Sequence, residues 1–154
     1  ELAAEVNADM PEHVVRKIAA GLNRHGKALR GARVLVLGVA FKRDIDDARN
    51  SPAQRVIELL LDSGAEVEYY DPYVPSFEVG GSALHRATEK LHSTPLADGL
   101  AHADAVAIIT GHSTVDYQHV LASCPIVIDA VNVTSTLAEQ GSNAIRLGAP
   151  MPTG

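Results

Sequence analysis

Between Gly38 and Ser51 the chain places three cations, Lys42, Arg43 and Arg49, within eight positions, and then opens a helical pattern at Ser51-Pro52. Cations beside a helix amino-terminus suit a phosphate group. The side chains offer charge-assisted donors, and the first turn offers unpaired N–H groups at the positive end of the helix dipole. The same loop carries Asp44, Asp46 and Asp47. In a solvated loop these would simply pair with the cations, and spacing alone leans to that plainer arrangement. The dinucleotide fingerprint G-x-G-x-x-G is absent, because Ala40 and Arg43 stand where further glycines would follow Gly38. The backbone therefore cannot wrap a pyrophosphate in the standard way, and a phosphate site here must use side chains. Cys124 precedes an apolar run and reads as an inert core thiol. The seven histidines are scattered, with no i, i+4 pair joined to an acidic partner, so no metal site is expected. His112 alone sits where a strand should end. It is open to a ligand there, although a surface or core role is the commoner one.

The elements that must position these groups alternate. Pro11 suits the first position of a helix in which Val14, Val15, Ile18, Ala19 and Leu22 recur at helical spacing. Arg33 to Val39 is a short apolar run with the β-branched content of a strand buried on both faces. Ser51-Pro52-Ala53-Gln54 predicts a capping box, and Gly64 predicts a left-handed helix stop. Glu66 to Tyr70 alternates as a strand, and Asp71-Pro72 turns it. Tyr73 to Leu84 reads as a loop, and Thr94-Pro95 starts a short helix running through Leu100. Strands are expected over 104–110, 125–129 and, at an edge, 144–147, with a helix over 117–122. Helix and strand in alternation make an α/β fold with a mainly parallel sheet, whose ligands bind beyond the carboxyl ends of the strands.

Composition narrows the function classes. The chain has 154 residues, enough for one domain with a real core, and a net charge of −6. That balance argues against nucleic acid and polybasic membrane contacts, and no apolar run approaches the ~20 residues of a membrane span. A single cysteine permits no internal disulfide, so a cytoplasmic address is the default. The first residue is not Met, and a piece of something longer is expected.

Three stretches carry a resemblance. Gly38-Val39-Ala40-Phe41-Lys42 follows G-x-A-[FY]-K, and Asp46-Asp47-Ala48-Arg49-Asn50-Ser51-Pro52 follows D-D-x-R-x-S-P. Gly64-Ala65-Glu66-Val67 with Asp71-Pro72 follows G-A-x-V-x-x-x-D-P. On these motifs the chain resembles the carboxyl-terminal UDP-binding domain of the UDP-glucose/GDP-mannose dehydrogenase family. Asp71-Pro72-Tyr73-Val74-Pro75 and Gly111-His112-Ser113 look most like its UDP-N-acetylhexosamine branch. The resemblance implies a Rossmann-like three-layer sandwich over residues 31–154, approached by a helical segment over residues 1–30. It implies an enzyme that oxidises C6 of a UDP-sugar to the acid with two NAD. The NAD-binding domain, the central dimerising region and the catalytic cysteine would all lie outside this chain, leaving it inactive alone. The partners implied are a UDP-sugar, those absent domains and, at full length, a second copy of the protein.

By position, Phe41 and Lys42 match residues that contact the UDP-sugar, Phe41 as an apolar wall and through its backbone, and Lys42 through charge and hydrogen bonds. Arg49 matches an arginine that reaches NAD, and Asp47 is expected to orient the loop. For Phe41 the plainer alternative is core packing; for Asp47 it is a salt bridge to Arg49 or Arg43. Arg43 matches no functional position. The family commonly has D-x-R-N at the end of the fourth strand, where this chain has Asp129-Ala130-Val131-Asn132, and Val131 brings no charge. Arg146 or another cation would have to compensate. A second reading therefore stands beside the first: a non-catalytic nucleotide-binding or interaction module that keeps the fold. A complete small Rossmann-like reductase is disfavoured, because neither a second nucleotide motif nor a Tyr-x-x-x-Lys pair occurs.

Overall fold

A computed structural model of the chain describes residues 2–48, 51–81, 86–135 and 144–146. The elements run α1 (Leu2–Arg24), β1 (Arg33–Leu37), α2 (Pro52–Asp62), β2 (Glu66–Tyr70), β3 (Ser76–Val79), β4 (Glu89–His92), α3 (Leu96–His102), β5 (Ala105–Ile108), α4 (Tyr117–Ser123), β6 (Val127–Asp129) and β7 (Ala144–Arg146). Five strands form one parallel sheet in the order β2-β1-β5-β6-β7. Its central strands are buried on both faces. Val34 and Val36 of β1 join the core under α1 and α2 with Ile18, Val56 and Ile57. Leu35 and Leu37 point the other way, to Leu100 and Val120 of α3 and α4. This period-two division makes the three-layer α/β sandwich that the Rossmann-like resemblance implies.

Local chemistry explains the element ends and several departures. Gly64, at φ 88°, closes α2. Its N–H donates to the Leu61 carbonyl and that of Ala65 to the Leu60 carbonyl, the paired bonds of a Schellman stop. The capping box at its other end forms only in part. Ser51 Oγ accepts from Ala53 N, but the Ser51 N–H goes to the Ala48 carbonyl, and Gln54 turns its amide to Glu58 instead. Pro11 does not start α1 but lies within it. Leu2, Ala3, Ala4 and Glu5 are good helix formers that carry the helix upstream, at the cost of one lost backbone bond at the proline. The stretch read as a loop from Tyr73 contains β3, which pairs antiparallel with β4. Its alternation is hidden by polar residues, and Phe77 is held by an edge-on contact with Tyr69, 5.0 Å between ring centroids.

The order of the sheet creates the functional geometry. From β1 the chain steps to β2 on one side and later to β5 on the other, so the order reverses between β1 and β5. At such a reversal the two loops diverge and leave a crevice beyond the strand ends. Gly38 makes the exit from β1 possible. It sits at φ 83°, donates to the Tyr70 carbonyl, and a β-carbon there would lie 2.3 Å from the Thr110 carbonyl oxygen. Gly38→Ala combines left-handed strain with a backbone clash, and should cost about 2–4 kcal/mol. A thermal melt should fall by roughly 10 °C; a midpoint within 2 °C of the parent would show that the exit from β1 can be rebuilt.

Candidate functional site

The crevice is organised around a buried carboxylate. Asp71, 2% exposed, follows β2, and its Oδ2 accepts from Val39 N at 2.8 Å, Ala40 N at 3.1 Å and His112 Nε2 at 2.8 Å. Its Oδ1 accepts from Tyr73 N at 2.8 Å. Three loops, after β1, β2 and β5, therefore meet on one side chain.

His112 is fully buried and its proton can be placed by its partners. Asp44 N donates to Nδ1 at 2.8 Å, so Nδ1 is the acceptor and Nε2 carries the hydrogen given to Asp71. Tyr73 stacks edge-on against the ring at 4.8 Å, and Tyr117 Oη donates to the His112 carbonyl at 3.0 Å. Burial, aided by the nearby Asp129 charge, pushes the Tyr117 phenol well up, so it remains a donor. Asp44, at φ 60°, returns the contact by accepting from both Ser113 N and Ser113 Oγ at 2.8 Å. Those two bonds from Ser113 hold its carboxyl below the usual carboxylate range. The loop after β1 is thus tied at Val39, Ala40 and Asp44, and Phe41 N adds a bond to the Asp47 carbonyl.

Between these tied points the loop projects Phe41, Lys42 and Arg43. They line a cleft of about 200 Å³ with Thr110 and Gly111 at its base and Val131 and Val133 opposite. Phe41 is 50% exposed and Val131 40% exposed. Core packing is therefore not what holds Phe41. Lys42 Nζ lies 6.0 Å from its ring centroid, a cation–π distance. Asp129 shapes the opposite wall, accepting from Val131 N at 3.1 Å, Thr134 N at 2.8 Å and Thr134 Oγ1 at 2.6 Å.

The arrangement suits anion binding. Gly38, Val39, Ala40 and Phe41 all donate their N–H groups within the protein, so these four residues offer no backbone nest for a pyrophosphate; the Phe41 N–H in particular goes to the Asp47 carbonyl rather than outward. The residues present do not fit a dinucleotide held at this turn in the standard manner. The cations of the cleft do fit phosphate oxygens. Cys124 is buried on the α3–α4 side of the sheet, Sγ donating to the Ile126 carbonyl at 3.3 Å, and burial pushes its thiol up.

A model of the UDP-glucose/GDP-mannose dehydrogenase family, UDP binding domain, matches residues 35–136. The chain belongs to this family. It is 27% identical over 139 residues to a UDP-N-acetyl-D-mannosamine dehydrogenase of Methanococcus maripaludis, covering 85% of this chain and 29% of the relative. It is 29% identical to a UDP-glucose 6-dehydrogenase of Rhizobium meliloti, covering 97% of this chain and 34% of the relative. The crystal structure of an NDP-N-acetyl-D-galactosaminuronic acid dehydrogenase from Methanosarcina mazei superposes with a TM-score of 0.72 at 32% identity, over 94% of this chain and 30% of that one. The chain thus spans about a third of the length of these relatives.

Of the residues singled out from the sequence, Phe41 and Lys42 stand in the cleft of this UDP-binding domain. Asp47 takes part in its loop through its carbonyl. Arg49 lies outside the described residues, as does the side chain of Arg146. Asp71 and Ser113 stand in motifs that carry the resemblance, and Asp44 in the loop of cations, but the bonds that join them to His112 are visible only in the structure. The available signal was topological: β2 and β5 flank β1, so the residues just after them must flank its loop.

Two measurements address the lock. His112→Ala leaves the Asp44 N–H without its partner and Asp71 one donor short, which should cost about 2–4 kcal/mol. His112→Gln, whose amide presents an acceptor and a donor at similar spacing, should recover much of it; equal loss in both would contradict the bridging role. For Asp44 the sign follows from a lowered folded pKa. Its contribution is full above the ordinary carboxylate value of about 3.9 and is lost as pH falls through the lower folded value. The NMR titration of its carboxyl carbon should have a midpoint below about 3.9, and one above it would remove the Ser113 contact from the account.

Proposed function

We propose that the chain is the UDP-sugar-binding part of an NAD-dependent nucleotide-sugar 6-dehydrogenase, with residues 31–154 forming the binding domain and residues 1–30 leading into it. The observation that carries this reading is the cleft at the sheet's order reversal, where Phe41 and Lys42 project from a loop locked behind them. Lys42 contacts the phosphates or sugar by charge, and the exposed Phe41 ring supplies an apolar wall. The cleft's volume of about 200 Å³ is below the usual size of a small-molecule site, so it holds part of a nucleotide sugar and leaves the rest to be covered from outside.

The rest of the polypeptide would hold NAD, which would supply the hydride acceptor, one molecule for each of the two oxidations at C6. This chain's part is to bind and orient the UDP-sugar toward that domain. Arg49 is proposed as its one contribution to NAD, and Asp47 as a support of the loop that carries Arg49. The whole protein is proposed to be a cytoplasmic homo-oligomer. Val131 favours the second reading, a nucleotide-binding module without catalysis, because it leaves the β6 side of the cleft without charge.

Calorimetry with UDP-sugars tests the proposal. Charged hydrogen bonds are worth about 1.5–3 kcal/mol, so Lys42→Ala should weaken binding by roughly 10- to 150-fold while its melting temperature stays unchanged. An unchanged Kd would return Lys42 to a solvated loop. The chain alone should not reduce NAD with any UDP-sugar, and turnover would defeat the assignment to a binding part.

A further inference from the structure

The two sides of the cleft carry opposite chemistry, and one cation on the β1 side has no role so far. Lys42 and Arg43 stand on that side; Val131 and Val133 stand on the β6 side. Arg43 is only loosely held by its acidic neighbour. Its Nε forms an ion pair with Asp44 Oδ2 at 3.6 Å, longer than a hydrogen bond, and its side chain is 66% exposed, so it stays open to a second anion. Asp44 instead spends both oxygens on Ser113. The adjoining backbone is nevertheless fixed, because Asp44 N donates to the buried His112 ring. A planar cation with five donors is therefore mounted on a rigid base at the cleft wall.

We propose that Arg43 is a phosphate-reading residue of this cleft, supplying from the β1 side the fork-shaped cation that the β6 side lacks at Val131. This rests on the reading of the cleft as a UDP-sugar site. Lys42 gives a point charge. Arg43 adds paired, directional donors suited to two oxygens of a diphosphate. A cation placed instead at position 131 would reach the same anion from the opposite wall, so the two positions are energetically coupled rather than independent.

The test is UDP titration by calorimetry of the parent chain, Arg43→Gln, Arg43→Lys, Val131→Arg and the double variant Arg43→Gln/Val131→Arg, at one salt concentration. Arg43→Gln should weaken UDP binding by roughly 10-fold or more, and Arg43→Lys, which keeps the charge, by less. Val131→Arg should tighten binding. In that background Arg43→Gln should cost no more than about 3-fold, since the new cation covers the same oxygens. An unchanged Kd for Arg43→Gln, or an equal loss in both backgrounds, overturns the role of Arg43 and leaves the UDP site standing. A parent chain that does not bind UDP overturns the site reading itself, and this inference with it.

Discussion

The carboxylate of Asp71 is the constraint on which the binding face depends. It is buried, and burying a charge is costly unless donors surround it. Four N–H groups do so, from Val39, Ala40, Tyr73 and His112. Because those donors come from three separate loops, satisfying one charge also fixes the relative positions of three chain segments. Thr110 Oγ1 adds a bond to the Ala40 carbonyl at 2.6 Å, and no buried side-chain nitrogen or oxygen among the described residues is left without a partner.

This has a direct consequence for how the domain meets a nucleotide. In dinucleotide-binding sheets the glycine-rich turn after the first strand leaves its N–H groups to the pyrophosphate. Here Asp71 takes two of them, and the Tyr70 and Asp47 carbonyls take their neighbours. An internal anion stands where the ligand's anion would otherwise bind. The turn loses its nest and gains rigidity, and the recognition proposed here falls to side chains on the tip of the same loop. Membership of a UDP-binding domain family and the absence of the dinucleotide fingerprint are therefore two views of one arrangement.

Much of this was legible from the residues. Strong local signals, such as the apolar run of β1, the Gly64 stop and the Ser51-Pro52 start, placed the elements that frame the crevice. The motif around Phe41 and Lys42 pointed to the loop that lines it. What escaped was long-range. Asp71 and His112 are forty-one positions apart, and nothing local to either distinguishes a turn aspartate or a strand-end histidine from a structural centre. β3 and β4 escaped because their side chains alternate weakly, and the contact of Phe77 with Tyr69 joins residues from separate elements. Pro11 misled because it is equally at home in a first turn and, at a cost, within a helix that strong formers sustain.

In the proposed binding mode, side chains at the loop tip read the nucleotide while the backbone behind them stays committed to Asp71. Amide NMR of the chain during titration with UDP tests both halves at once. Shifts should concentrate at Phe41, Lys42, Gly111 and Val131, with the Val39 and Ala40 amides remaining protected from hydrogen exchange. Loss of that protection on binding, or shifts centred at the amino-terminal ends of the strands near Arg33 and Glu66, would contradict it.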